Sequence, residues 1–227
     1  MLKAQLKCHD YWIRYHMKKI LLLSSLLMTA SLGDFHAYSY EITPQLKAKM
    51  IKGNVWHEGC PVNPSNLRYL RLTYINFEGR DQVGELIVHR DIADEIIEIM
   101  GQLYEIGYPI RQMRLISDFD GNDWQSIEAD NTSAFNCRNA TGSKKWSRHS
   151  FGKAIDVNPL ENPYISRQGK ISHKASLKYR KRRHQEDSSE DRAVLLPDDA
   201  VTKIFKSYGF KWGGDWRYTK DYQHFAK

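Results

Sequence analysis

Nothing in these 227 residues is apolar for long enough to span a bilayer comfortably. The longest apolar run, Ile20 to Leu32, has about the length of a signal-peptide core. No internal repeat is visible. A dense basic stripe is also missing: the formal charge is +7, but it is spread out and interleaved with acids, so a nucleic-acid partner is not expected. The stretch from 117 to 146 carries Asp118, Asp120, Asn122, Asp123, Asp130 and Asn131. It lacks the EF-hand spacing and the bidentate Glu that calcium needs, and reads as a polar loop over a cleft. Cysteine is scarce, at three per chain.

What is present begins with an export signal. Met17-Lys18-Lys19 supplies a positive start ahead of the apolar run, and the 16 residues before it read as an over-called beginning. Ser31-Leu32-Gly33 or Ala37-Tyr38-Ser39 would be the cleavage site. A cut after Ser39 removes five basic residues and two acidic ones, leaving 29 and 25, or +4, and no membrane span in the mature chain. That modest charge would suit an anionic wall polymer without requiring one. The cut also leaves only Cys60 and Cys137, and two cysteines in one exported domain are expected to pair. The remainder, 40–227, has the length of a single domain, and a monomer is expected. Localisation is periplasmic or extracellular.

Leu67 to Phe77 and Gly84 to His89 read as strands, being rich in β-branched, aromatic and other apolar residues. Asp91 is placed to cap a helix through Ile92, Ile96, Ile99, Met100, Leu103 and Ile106, closed by Gly107. Tyr108 to Ile116 reads as a further strand. The basic run Lys178 to His184, nearly neutralised by the acids after it, reads as a solvated, mobile loop. Pro197 or Asp198 opens a short helix ended by Gly209. His57, His89, His173 and His184 are read as surface or core histidines.

The chemistry concentrates in Ser147-Arg148-His149-Ser150-Phe151-Gly152-Lys153-Ala154-Ile155-Asp156. Imidazole nitrogen and carboxylate oxygen both suit zinc. On a helix, positions 149 and 156 would stand roughly 10 Å apart. A turn at Gly152 running into a strand brings them together instead, with Ala154, Asp156 and Asn158 on one face and Ile155 and Val157 on the other. The tail offers a third ligand in His224 and a free carboxylate in Asp221. On a straight strand these two would face opposite ways, so a turn at Tyr222-Gln223 is required. Two histidines and one carboxylate leave a position for water, which marks a catalytic rather than a structural zinc.

Ser-x-His-x-x-Gly-x-Ala-x-Asp, followed by an acid three residues before a histidine, resembles the D-alanyl-D-alanine carboxypeptidase / L-alanyl-D-glutamate endopeptidase family of zinc peptidases. Asn131 to Arg138 and Trp212-Gly213-Gly214-Asp215-Trp216 extend the resemblance, which runs from about residue 50 to the end. It implies an α+β chain of the Hedgehog/DD-peptidase type, a small antiparallel sheet flanked by helices with the zinc cleft on the sheet. It also implies one zinc ion per chain held by His149, Asp156 and His224, and peptidoglycan stem peptides as substrate. Asp221 takes the place of the general base and Arg138 that of the substrate-polarising arginine. Trp212, Trp216 and the Gly213-Gly214 backbone would wall the cleft, and Ser147 would orient a ligand or bind substrate. Asp221 and Gln223 stand where many members have Glu and Trp, a variant that resembles the endopeptidase and phage-endolysin branch.

Three other readings compete. Two histidines and a carboxylate also make the facial triad of a non-haem iron oxygenase, which has no need of Asp221. A non-catalytic wall-binding or signalling module would keep the metal without the chemistry. A Cys137 nucleophile with His149 as its base would leave Asp156, Asp221 and His224 without a purpose.

Overall fold

The computed structural model describes residues 33–184 and 187–227. The start at Met17, the apolar run and most of the Ser31-Leu32-Gly33 site lie outside the described residues. The architecture is α+β. Strands β1 (Ala37–Glu41), β2 (Leu67–Ile75) and β3 (Asp81–His89) form one antiparallel sheet in that order. The β2–β3 hairpin closes through Asn76, whose side chain accepts the backbone N–H groups of Glu78 and Arg80.

Strand alternation divides this sheet between two cores. Leu70, Leu72, Leu86 and Val88 face the main core, where helix α1 (Ala93–Glu105) lays down Ile96, Ile99, Met100 and Leu103 at helical spacing. Leu67 and Ile87 face a second core with Met50, Val55, Ile116 and Phe135. Each such fully buried aliphatic side chain contributes about 1.5–3 kcal/mol, so both faces of the sheet are held.

A second antiparallel sheet has the order β4 (Ala154–Asp156), β5 (His224–Ala226), β6 (Lys211–Trp212). Its register sets His224 opposite Asp156 and Phe225 opposite both Ile155 and Trp212. The three apolar residues turn into the main core, where Phe225 stacks on Phe205 with ring centroids 3.9 Å apart. The polar residues of the register are left on the other face.

Several expectations are corrected. Asp91 does not cap the long helix: it lies in a 3₁₀ turn, Arg90–Ile92, capped by the His89 side chain, and the α-helix starts at Ala93. From Tyr108 to Ile116 only Gln112–Met113 is strand, pairing in parallel with Asn131–Thr132. The cause is long-range: the backbone N–H of Arg111 is taken by Asn158 and that of Arg114 by Asn131, so side chains replace a strand partner. The 117–146 stretch is not all loop, since it holds the short helix Asp123–Glu128. The late helix runs Ala200–Ser207 and is capped by Asp199, whose carboxylate accepts the Thr202 N–H at 2.7 Å.

The basic run also departs from a solvated loop. Lys174–Arg180 is a 3₁₀ helix, and Arg182 turns inward to donate to the carbonyls of Glu161 and Leu195 and to the side chain of Asn162. Asn162 is fully buried and ties Val157, Asn158 and Ala193 together through its amide. The run is therefore fastened beneath the segment that leaves Asp156.

Beside it, Glu161 is buried next to Asp130. Burial first, and then the neighbouring carboxylate, push Glu161 up to about 9. A carboxyl raised in the folded state stabilises the fold at low pH, and that contribution is lost as pH rises towards the folded value. Glu161→Gln should therefore gain stability over the wild type at pH 8 compared with pH 5, measured by urea unfolding. An equal difference at both pH values would mean the pair is not protonated.

Candidate metal centre

Ser147 begins the centre by capping the 3₁₀ turn Arg148–Phe151, its hydroxyl accepting the His149 backbone N–H at 3.3 Å. Ser147 also lines the cleft over the centre, so both uses the sequence left open stand. The turn ends at Gly152 with φ of +64°. A Cβ there would meet the backbone nitrogen of His89 at 2.7 Å, so glycine is required for both conformation and space. The chain then enters β4 and delivers Asp156.

His149, Asp156 and His224 are all buried, at 4%, 9% and 7% exposure. Asp156 bridges the two rings: one oxygen is 3.2 Å from His149 Nε2, the other 2.9 Å from His224 Nδ1. Those two nitrogens are 3.1 Å apart. His149 Nδ1 lies 2.5 Å from the Ala134 carbonyl, an acceptor only, so Nδ1 carries a proton and Nε2 is the nitrogen turned to the centre. Burial disfavours a charged Asp156, but the two imidazoles outweigh it and hold the carboxyl far below its ordinary range. Burial likewise opposes protonation of His224, and the bond to Asp156 more than compensates, raising it.

The fit to zinc is good on these grounds. Three donor atoms of the right type lie within 4.8 Å of one another, one tautomer is fixed by an outer partner, and a carboxylate is available to offset the charge.

Asp221 lies at the end of a two-residue strand, Lys220–Asp221, that pairs with Tyr164–Ile165. Tyr222 and Gln223 then turn before β5 begins, as the shared use of Asp221 and His224 demands. Gly213 makes the room, since a Cβ on it would come within 2.8 Å of the Asp221 Cβ. Burial first raises the Asp221 carboxyl, His224 pulls it back, and Asp156 raises it again, to about 6 overall. Gln223 donates to it at 3.2 Å.

A cleft of about 1130 Å³ opens over the centre, lined by His149, Asp156, Asp221 and His224 together with Arg138 and Trp216. Arg138 is not free in it: its guanidinium is paired with Asp123 and donates to the Asn139 carbonyl. Trp216 places its ring 5.6 Å from that of His224. Trp212 does not wall the cleft. It is 1% exposed, packs in the main core, and supports the tail turn by donating to the Tyr222 carbonyl at 2.7 Å.

The other histidines stay apart from this set. His89 pairs with Asp91, His173 with Glu128 while packed at a tilt against Trp124, and His184 with Asp191. Cys60 and Cys137 form a disulfide, with Cα atoms 6.0 Å apart, which removes Cys137 as a nucleophile. Sequence reasoning gave no role to Asp123, Trp124 or Trp146, which also line the cleft. The only available signal was their position ahead of the metal motif.

Comparison with known proteins bears on this geometry. Residues 141–227 match the family model described as D-alanyl-D-alanine carboxypeptidase. The match bears out the resemblance read from the motifs over residues 141–227. The matched segment holds all three candidate ligands and Asp221, and it supports a peptidase. Neither the curated proteins nor the solved structures gave a significant match.

His149→Ala, Asp156→Ala and His224→Ala should each drop bound zinc from one per chain to near zero and lower the melting temperature of the zinc-loaded protein. His89→Ala, His173→Ala and His184→Ala should leave zinc at one per chain. Metal analysis after gel filtration decides between the groups, and zinc lost from the second would mean the wrong histidines have been chosen.

Proposed function

We propose that the protein is an exported zinc peptidase that hydrolyses peptide bonds in peptidoglycan stem peptides. The observation that carries this reading is the strand register that brings His224 to Asp156, with His149 beside them and Asp221 in the same cleft. His149, Asp156 and His224 hold the metal. Zinc in such a set supplies Lewis acidity and lowers the pKa of a water it holds to about 7.

The chain's own residues do the rest. Asp221 takes the proton of the attacking water on a carboxylate oxygen and returns it to the leaving amine. Its half-buried position, raised towards neutrality, suits a base that must both accept and release. Arg138 lines the same cleft, and its guanidinium would share the charge of a developing oxyanion there. The salt bridge to Asp123 and the backbone contact hold it in one orientation. Trp216 offers an apolar wall beside His224.

Export rests on the disulfide and on the apolar segment near Met17. No helix among the described residues is long and apolar enough to cross a membrane. A cut after Ser39 would sever β1, where Ala37, Tyr38 and Ser39 pair with Leu72, Arg71 and Leu70. The Ser31-Leu32-Gly33 site keeps that strand whole, and we place the mature start there.

Asp221→Asn is the decisive variant. It should keep one zinc per chain and its fold, and lose roughly 10²–10⁴-fold in turnover on purified sacculi, the usual worth of a positioned acid–base group. The wild-type rate should rise with pH through a carboxyl at or below about 6, since a bound cation lowers a neighbouring carboxylate. That limb should be absent from the residual activity of the variant. Full turnover by the variant would make Asp221 structural, and loss of zinc would make it a ligand. No hydrolysis by the wild type would favour a non-catalytic wall-binding module.

A further inference from the structure

A second group of metal-ligating side chains lies outside the centre just described. A ring nitrogen of His57 and the sulfurs of Cys60 and Cys137, which are bonded to each other in this structure, all lie within 4.8 Å of one another. His57 Nε2 is 3.7 Å from Cys137 Sγ, and the His57 backbone N–H points to Cys60 Sγ at 3.3 Å. The second nitrogen of the ring decides its chemistry. His57 Nδ1 is 2.8 Å from the Glu58 carbonyl, which can only accept, so Nδ1 is protonated and Nε2 presents its lone pair towards the sulfur. A carbonyl fixing the far nitrogen is the arrangement found behind metal-bound histidines. No such arrangement is needed to support a disulfide.

We propose that the reduced chain binds a thiophilic divalent ion, zinc or its analogues, through His57, Cys60 and Cys137, and that forming the disulfide expels it. The two states exclude each other because they use the same sulfurs. Thiolate and imidazole together favour zinc over the hard oxygen-seeking cations. His57 and Glu58 are exposed, and Gly59 sits at φ of +92° with open space around it, so the short loop can shift as the sulfurs part. Cys137 is buried and stays as the fixed ligand. The site adjoins the cleft through Arg138, the next residue, and through Trp146, whose ring lies 6.4 Å from that of His57.

The redox step balances with a tertiary phosphine as reductant. Phosphorus gives two electrons and becomes the phosphine oxide with the oxygen of a water molecule. The sulfur–sulfur bond breaks to two thiols, and each thiol loses its proton on binding the ion.

The test is cobalt titration of the mature protein, oxidised and phosphine-reduced, followed by optical absorption. The oxidised protein should bind one cobalt with no thiolate-to-cobalt charge-transfer band, because His149, Asp156 and His224 supply no sulfur. The reduced protein should bind two and show that band, and reoxidation should abolish it with release of one ion. His57→Ala should weaken the sulfur-containing site by at least about 10-fold without altering the other. One cobalt and no band in the reduced protein would overturn the proposal. A band unaffected by His57→Ala would overturn it as well, since it would report thiols of an unfolded chain. Both readouts are independent of peptidase activity, so failure here and failure of the functional reading are distinguishable.

Discussion

The pairing of β5 against β4 is the constraint on which the candidate centre depends. Leaving a carboxylate between two imidazoles in a buried position costs several kcal/mol per ion unless each charge finds partners. Asp156 finds them on both oxygens. What prevents the strands from sliding out of this costly register is the opposite face, where Ile155, Trp212 and Phe225 fill the main core. A slip of one residue would bury His224 among apolar side chains and expose Phe225. The core thus enforces the polar arrangement.

Around the ligands, small constraints set position. The hydroxyl of Ser147, the carbonyl of Ala134 and the left-handed turn at Gly152 each fix one coordinate of His149. Gly213 does the same for Asp221 by making room for it. The Arg182–Asn162 contacts brace the segment between Asp156 and Tyr164 from below. The common effect of these groups is to keep the donors in place before anything binds.

The candidate ligands His149 and Asp156 were legible in the sequence because their chemistry is local. His149, Gly152 and Asp156 fall within one turn and strand, and the need for a bend between Asp221 and His224 followed from strand geometry alone. The two long strands and the helix core were legible for the same reason, through periodicity. Long-range satisfaction was not. Nothing local marks Trp212 as buried, Arg182 as turned inward, or Asn158 and Asn131 as the partners that keep Tyr108 to Ile116 from forming a strand. Asp91 is a good cap by type, yet the His89 side chain reached the turn first. Arg138 was recognisable by position, but its clamp, Asp123, was only one acid among several.

The chain thus carries two candidate sets of ligating side chains with different donor chemistry, one of nitrogen and oxygen in the cleft and one whose sulfurs are bonded to each other. Zinc X-ray absorption on the oxidised, zinc-loaded protein tests the central claim most directly. The account predicts one zinc with a first shell of nitrogen and oxygen only, and outer-shell scattering from two imidazole rings. A sulfur neighbour at about 2.3 Å, or a single imidazole, would contradict it.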